Sequence, residues 1–301
     1  MMDANGENRK QVSKVENGVG GFLFSPDETK VVLIGNVKYS RSAADLYPDL
    51  PKATGRVIDD MMYKHWDEWV TEIPHPFVAD FNGSAITDPV DIMDGEPYES
   101  PMKPFGGVES FAWSTDSKNL VYVSRKKTGK EYAISTNSDL YLYNLEKKTT
   151  DNLTEGMMGY DTNPAFSPDG TKLAWLSMER DGYEADKNRL FVMDMASGQK
   201  TDITSEWDYT IESFAWNRDG ASIWFLAYQD GGAPIFSVDL GSKTFSVFDK
   251  GDYDYSSVMP VSDDRVIATR HSFVRPDEIF SVTKGDAKQL TDVNGDIFSQ
   301  I

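Results

Sequence analysis

Apolar runs recur along this chain, and a common polar phrase introduces each of them. The phrase reads aromatic, Ser, Pro, Asp, Gly, then Lys and several apolar residues. It is fullest at Phe166-Ser167-Pro168-Asp169-Gly170-Thr171-Lys172-Leu173-Ala174-Trp175-Leu176, and it returns from Phe24, from Trp113 and, in weaker copies, from Trp216 and Val261. Its central acid is Asp27, Asp116, Asp169, Asp219 and Asp264, at intervals of 89, 53, 50 and 45 residues. Ser-Pro-Asp-Gly predicts a tight turn: Pro fixes φ, Asp bonds its own backbone, and Gly takes the left-handed position. With β-formers on both sides, each copy predicts a hairpin. A third strand is predicted after each, at 139–145, 189–195, 234–240 and 278–282, and polar turns lead to short fourth strands such as 146–154 and 197–204.

Four short antiparallel strands repeating every 45–50 residues, with one long insertion in the first copy, are the sequence signature of propeller blades. A two-sheet sandwich would not require the same turn phrase at that period. The strands are also nearly continuous in apolar character, as in sheets covered on both faces. The fold class expected is therefore all-β: a β-propeller of four-stranded antiparallel blades, about five of them complete. The blades are assigned to about 16–93, 106–154, 160–204, 210–248 and 255–291, within a propeller at 16–301. Residues 2–13 align with 193–204, and residues 1–15 are assigned to the end of a preceding blade, so the chain reads as a piece of a larger propeller.

Composition narrows the function. Thirty Lys and Arg stand against 49 Asp and Glu, a net charge of −19, which disfavours a nucleic-acid partner because phosphate binding needs a basic surface. The absence of Cys removes disulfides, thiolate metal sites and Cys nucleophiles. No apolar run approaches the ~18 residues of a spanning helix. The first ten residues hold no apolar segment of the kind a signal peptide has. The paired acids Asp59/Asp60, Asp252/Asp254 and Asp263/Asp264 lack calcium-loop spacing and read as solvated turn residues. No phosphate loop or zinc spacing is present, so no cofactor and no metal are expected.

Two segments carry a family resemblance. Tyr47-Pro48-Asp49-Leu50-Pro51-Lys52 followed by Asp59-Asp60-Met61-Met62-Tyr63-Lys64-His65-Trp66-Asp67-Glu68-Trp69 resembles the first-blade insertion of bacterial dipeptidyl peptidases and acylaminoacyl peptidases of the prolyl oligopeptidase family (S9). Met178-Glu179-Arg180-Asp181-Gly182-Tyr183-Glu184-Ala185-Asp186-Lys187-Asn188 is similar to a long loop of the same group, and Gln289-Leu290-Thr291-Asp292-Val293-Asn294 to its exit from the propeller. The resemblance implies a propeller capping a C-terminal α/β-hydrolase domain with a Ser-Asp-His triad, in a parent of the periplasm or, as the alternative, the cytoplasm. No Gly-x-Ser-x-Gly elbow and no helix–strand alternation occurs in this sequence, so no catalytic residue is assigned. Triads are recognised by geometry, which leaves His65, His75 and His271 to be examined; His65 is expected to pack or hydrogen-bond near a blade edge.

The candidate site residues are Trp66, Asp67, Glu68 and Trp69 on the insertion and Glu179, Arg180 and Glu184 on the long loop. Carboxylates beside aromatic walls suit a peptide's terminal ammonium, through charge-assisted hydrogen bonds and cation–π contact. The bland alternatives are that the Trp rings close a core under the insertion and that Arg180 pairs with Glu179 or Glu184 at the surface. The expected partners are the C-terminal hydrolase domain and a short peptide substrate, with no membrane span and with self-association through open blade edges. Two functions follow: a non-catalytic propeller that gates access to a serine exopeptidase and anchors the substrate's N-terminus, or a protein-binding propeller of the periplasmic Tol type, which shares the blade phrase.

Overall fold

A computed structural model describes residues 1–15 and 18–300. Glu16, where the first blade was expected to begin, lies outside the described residues with Asn17 and Ile301. The chain divides into two compact units, residues 1–164 with 179–184, and residues 165–178 with those from Ala185 onward.

The first unit holds two four-stranded antiparallel sheets in which consecutive strands are neighbours. One runs Gly21–Phe24, Lys30–Lys38, Glu72–Phe81 and Ile86–Asp91; the other runs Phe111–Trp113, Asn119–Ser124, Asp139–Asn144 and Thr149–Asn152. Their core combines Val32 and Ile34 with Phe111, Trp113, Leu120 and Tyr122. Within each strand these positions are two apart and so share one face, while Val31 and Leu33 pack in a separate cluster on the other face of their strand, as expected for a sheet covered on each side. The Trp113 indole, from the aromatic position of the phrase, donates to the Leu23 carbonyl at 3.0 Å and so ties the two sheets together. Residues 1–15 contain no strand; Met1 and Lys10 exchange two backbone bonds of 2.7 Å, and the Val12 carbonyl accepts from Ile86 N–H at 2.7 Å.

The long insertion of the first copy falls between the second and third strands of the first sheet. Ser42 and Asp45 form a reciprocal capping box on the short helix Ala43–Leu46. The insertion then makes a small hairpin, Lys64–His65 against Glu68–Trp69. Beneath it Met62, Val70, Ile73 and Tyr132 form a separate core. Trp66 and Trp69 are not part of that core, being 73% and 41% exposed, which corrects the expectation that the two rings close it.

The boundary between the units falls inside the strand Asp161–Phe166. The second unit continues its sheet with Lys172–Ser177, Arg189–Asp194 and Lys200–Asp202. Two further four-stranded sheets follow, Ser213–Trp216 to Thr244–Asp249 and Asp254–Ser262 to Asp286–Gln289. Asp254 is correspondingly a strand residue whose carboxylate accepts from Ala233 N–H at 2.7 Å, not a solvated turn acid. Trp216 repeats the role of Trp113, its indole donating to the Ala165 carbonyl at 2.9 Å.

The turn phrase folds as its chemistry dictates. Ser25, Ser114 and Ser167 each donate to the Asp two positions on at 2.6 Å. Gly170 and Gly220 take the left-handed position with φ of 71° and 66°, while Glu28 and Ser117 hold it without being glycine, at 55° and 60°. Hydrogen bonds from Ser25 and from Thr29 hold the Asp27 carboxyl at about 2, and those from Ser167 and Thr171 do the same for Asp169. In the copies at Asp27, Asp116, Asp169 and Asp219 the carboxylate accepts a backbone N–H of its own turn.

Candidate functional site

The sequence-derived residues lie in the first unit, on two elements joined by a chain of buried groups. The first element is the hairpin at 64–69. His65, at its base, places Nε2 3.1 Å from Glu99 Oε2, so it hydrogen-bonds as expected. Trp66 opens the turn at a φ of 50°, and Asp67 and Glu68 are exposed. Trp69 points elsewhere: the Arg56 guanidinium and the Lys64 ammonium lie 4.4 and 4.6 Å from its ring centre, beside a cleft of about 810 Å³ lined by the insertion. Its π surface is engaged by the protein's own cations.

Glu99 is the hub. Its carboxylate is fully buried, accepts from Lys103 N–H at 3.1 Å and also takes the Tyr132 hydroxyl. Burial together with the adjacent Glu99 charge pushes the Tyr132 phenol far above its ordinary value, so it stays a donor. Tyr132 sits in the short helix Gly129–Ile134, which leads Ser135 back under Arg125.

Arg125 follows the strand Asn119–Ser124 and is only 9% exposed. It lies 4.2 Å over the Tyr132 ring and donates one N–H to the Ser135 carbonyl at 2.8 Å. Its Nε has no hydrogen-bond partner, and among the described residues no carboxylate forms an ion pair with it. A buried cation without a counter-charge is costly, and here the Ser135 carbonyl and the Tyr132 ring offset part of that cost.

The second element is the loop Glu179–Glu184. Asp181 pins it: one carboxylate oxygen accepts from the Ser135 hydroxyl at 2.6 Å, Thr136 N–H at 2.8 Å and Asn137 N–H at 3.2 Å. Burial alone would raise the Asp181 pKa, but these bonds together hold it below the ordinary range. Gly182 N–H donates to Thr136 Oγ1 at 2.9 Å. The pinned loop brings Glu184 Oε1 within 3.4 Å of the Tyr160 hydroxyl. Burial raises the Tyr160 phenol's pKa, the neighbouring Arg125 cation lowers it and the Glu184 carboxylate raises it. Glu184 and Arg125 thus bring opposite charges to one phenol. Glu179 is exposed, and Arg180 lies 3.9 Å over the ring of Tyr183.

The sequence had pointed to Glu184 and the hairpin as candidates, and not to Arg125, Glu99, Tyr132, Tyr160 and Asp181, which the structure places between them. The available signal was the stretch 125–138, an insertion between the second and third strands of its sheet that begins with a basic residue where the apolar run stops. The three His each face an acid: His65 with Glu99, His75 Nδ1 with Asp91 at 2.8 Å, and His271 Nδ1 with Asp277 at 3.1 Å. His75 is 1% exposed, out of reach of any substrate.

Comparison with known proteins agrees with this architecture. Residues 106–297 match the TolB beta propeller domain. The chain is 48% identical over 286 residues to the dipeptidyl-peptidase 5 of Porphyromonas gingivalis, covering 94% of this chain and 42% of that protein. It is 42% identical over 298 residues to that of Porphyromonas endodontalis, covering 98% and 43%. The chain therefore spans about two fifths of the length of these relatives. Among solved structures, the uncomplexed acylaminoacyl peptidase of Pyrococcus horikoshii superposes with a TM-score of 0.70 at 15% identity, over 100% of this chain and 42% of that one. A putative TolB from Agrobacterium tumefaciens reaches 0.54 at 14% identity, over 91% and 81%. No helix is long and apolar enough to cross a membrane among the described residues.

Proposed function

This chain belongs to the TolB beta propeller domain family, and from that premise we propose that it is the non-catalytic, peptide-handling propeller of a serine exopeptidase acting on short peptides. In this reading the parent carries an α/β-hydrolase domain beyond the propeller and works in the periplasm. The propeller gates access and holds the substrate's N-terminus. Glu184 receives the terminal ammonium, and the unpaired Nε–H of Arg125 takes a backbone carbonyl of the same peptide. The hairpin residues Trp66, Asp67 and Glu68 face the peptide farther along, while Glu179 and Arg180 shape the loop that carries Glu184.

The observation that carries the reading is the pairing, about one tyrosine, of a loop carboxylate and a buried guanidinium whose Nε has no hydrogen-bond partner. A peptide end offers the complement, a cation followed by a carbonyl acceptor, and both contacts would be charge-assisted. The similarity to two dipeptidyl peptidases supports the substrate class and favours this reading over a Tol-type protein-binding propeller.

The test joins two measurements. The 301-residue chain should turn over no chromogenic dipeptide, whereas the parent reading frame should continue into a Gly-x-Ser-x-Gly domain and cleave it. Turnover by the chain alone that a serine-directed inhibitor abolishes would overturn the assignment, and so would a stop codon directly after Ile301.

A further inference from the structure

Two of the most exposed aromatic rings of the first unit lie on segments that bond the same buried carboxylate. Trp66 is 73% exposed and Phe105 81% exposed, and their rings meet edge-on with centroids 5.2 Å apart. Neither is left loose. Trp66 follows His65, whose ring bonds Glu99 Oε2 at 3.1 Å, and Phe105 lies two positions after Lys103, whose N–H bonds Glu99 Oε1 at 3.1 Å. Trp66 also adopts a φ of 50° at the first turn position of a two-residue hairpin loop. Glycine is the residue such a position favours, and a bulky side chain there is an outlier that persists only where the surroundings impose it. A large apolar ring is thus kept in water at a cost to the backbone.

We propose that Trp66 and Phe105 form a preformed aromatic clamp for one aromatic or long apolar side chain of a bound peptide, with Glu99 as the positioning residue for both rings. The inference rests on the peptide-handling reading above and names the side-chain class that the site selects. The size of the patch decides the occupant. Two aromatic side chains offer roughly 150–250 Å² each, well short of the ~800 Å² per partner of a stable protein interface, so one side chain fits where a protein surface does not. The neighbouring Asp67 and Glu68, both exposed, oppose contact with an anionic membrane surface and suit a ligand that also carries an ammonium.

The experiment is isothermal titration of the 301-residue chain with a free-amino tetrapeptide containing one Phe, its Ala twin, and the N-acetylated form of each. The expected result is a preference of about tenfold for the Phe peptide, an amount consistent with one aromatic contact. Trp66→Gly, which also suits the backbone, and Phe105→Ala each reduce that preference to near one, by weakening the Phe peptide more than its Ala twin. Glu99→Gln keeps both rings and lowers the same ratio, a selectivity change that general loosening would not confine to the Phe peptide. An unchanged preference in Trp66→Gly and Phe105→Ala overturns the clamp. So does wild-type binding without a preference, binding of neither peptide, or a chain dimer that Trp66→Gly dissociates. If acetylation leaves affinity unchanged while the preference persists, the ammonium reading fails and the clamp stands; if acetylation weakens both peptides equally and no preference exists, the reverse holds.

Discussion

Asp181 Oδ1 and Ser135 Oγ meet at 2.6 Å across 46 positions of sequence, and this contact fixes where Glu184 stands. The same oxygen takes two backbone N–H groups of the 135–137 segment, so one carboxylate orders the loop ahead of any ligand. Asp181→Ala should open it. The readout is amide exchange at Gly182, whose N–H is held by Thr136 Oγ1: protection should fall on the order of tenfold, about 1.4 kcal/mol of local opening energy. Unchanged protection would show that the loop is held by other contacts.

The indole bonds between sheets make a second prediction. Trp113→Phe removes the donor to the Leu23 carbonyl, and Trp216→Phe the donor to Ala165. Both rings are buried, so each change leaves a carbonyl short of a partner and costs about 1–3 kcal/mol. In thermal melts each variant should lose roughly 2–10 °C. A loss below 1 °C would mean that water replaces the indole without penalty.

These contacts show which features the sequence carried. The turn phrase was legible because Ser, Pro, Asp and Gly act within five residues of one another, and the strands beside it followed from their apolar runs. Glu184 was found because it sits on an evident insertion. Arg125, Glu99 and Tyr132 were not, since each acquires its role from partners as far as 10, 33 and 34 positions away. Nothing in the local pattern around Glu99 says that it will be buried. Trp66 and Trp69 illustrate the same limit: three residues apart in one hairpin, one ring is left to solvent and the other is covered by Arg56 and Lys64.

The turn acids make stability depend on pH in a defined direction. Asp169 has its carboxyl lowered from 3.8 to about 2 by Ser167 and Thr171. A group depressed in the folded state stabilises above its unfolded pKa, and that contribution is lost as pH falls through the folded value. Asp169→Ala should therefore melt below wild type at pH 7, and the gap should narrow as pH drops from about 4 towards 2. A gap that is constant over that range would assign the effect to turn geometry and not to the charge.

The sharpest functional prediction concerns Glu184. If its carboxylate receives the peptide ammonium, Glu184→Gln removes the charge, keeps the size and leaves the exposed loop in place. Affinity for free-amino peptides should fall about tenfold, the ~1.4 kcal/mol expected of one charge-assisted bond in a partly solvated site. N-acetylated peptides, which lack the charge, should bind wild type and variant alike. Tyr160→Phe removes the phenol that contacts Glu184 Oε1 and should give a smaller loss, about threefold, again confined to free-amino peptides. Glu68→Gln, on the hairpin opposite His65, separates the two acids: the larger loss should belong to Glu184, because it faces the Tyr160 and Arg125 pair. An equal or larger loss at Glu68 would move the ammonium site to the hairpin, and equal losses for acetylated and free peptides would remove the charge from the explanation.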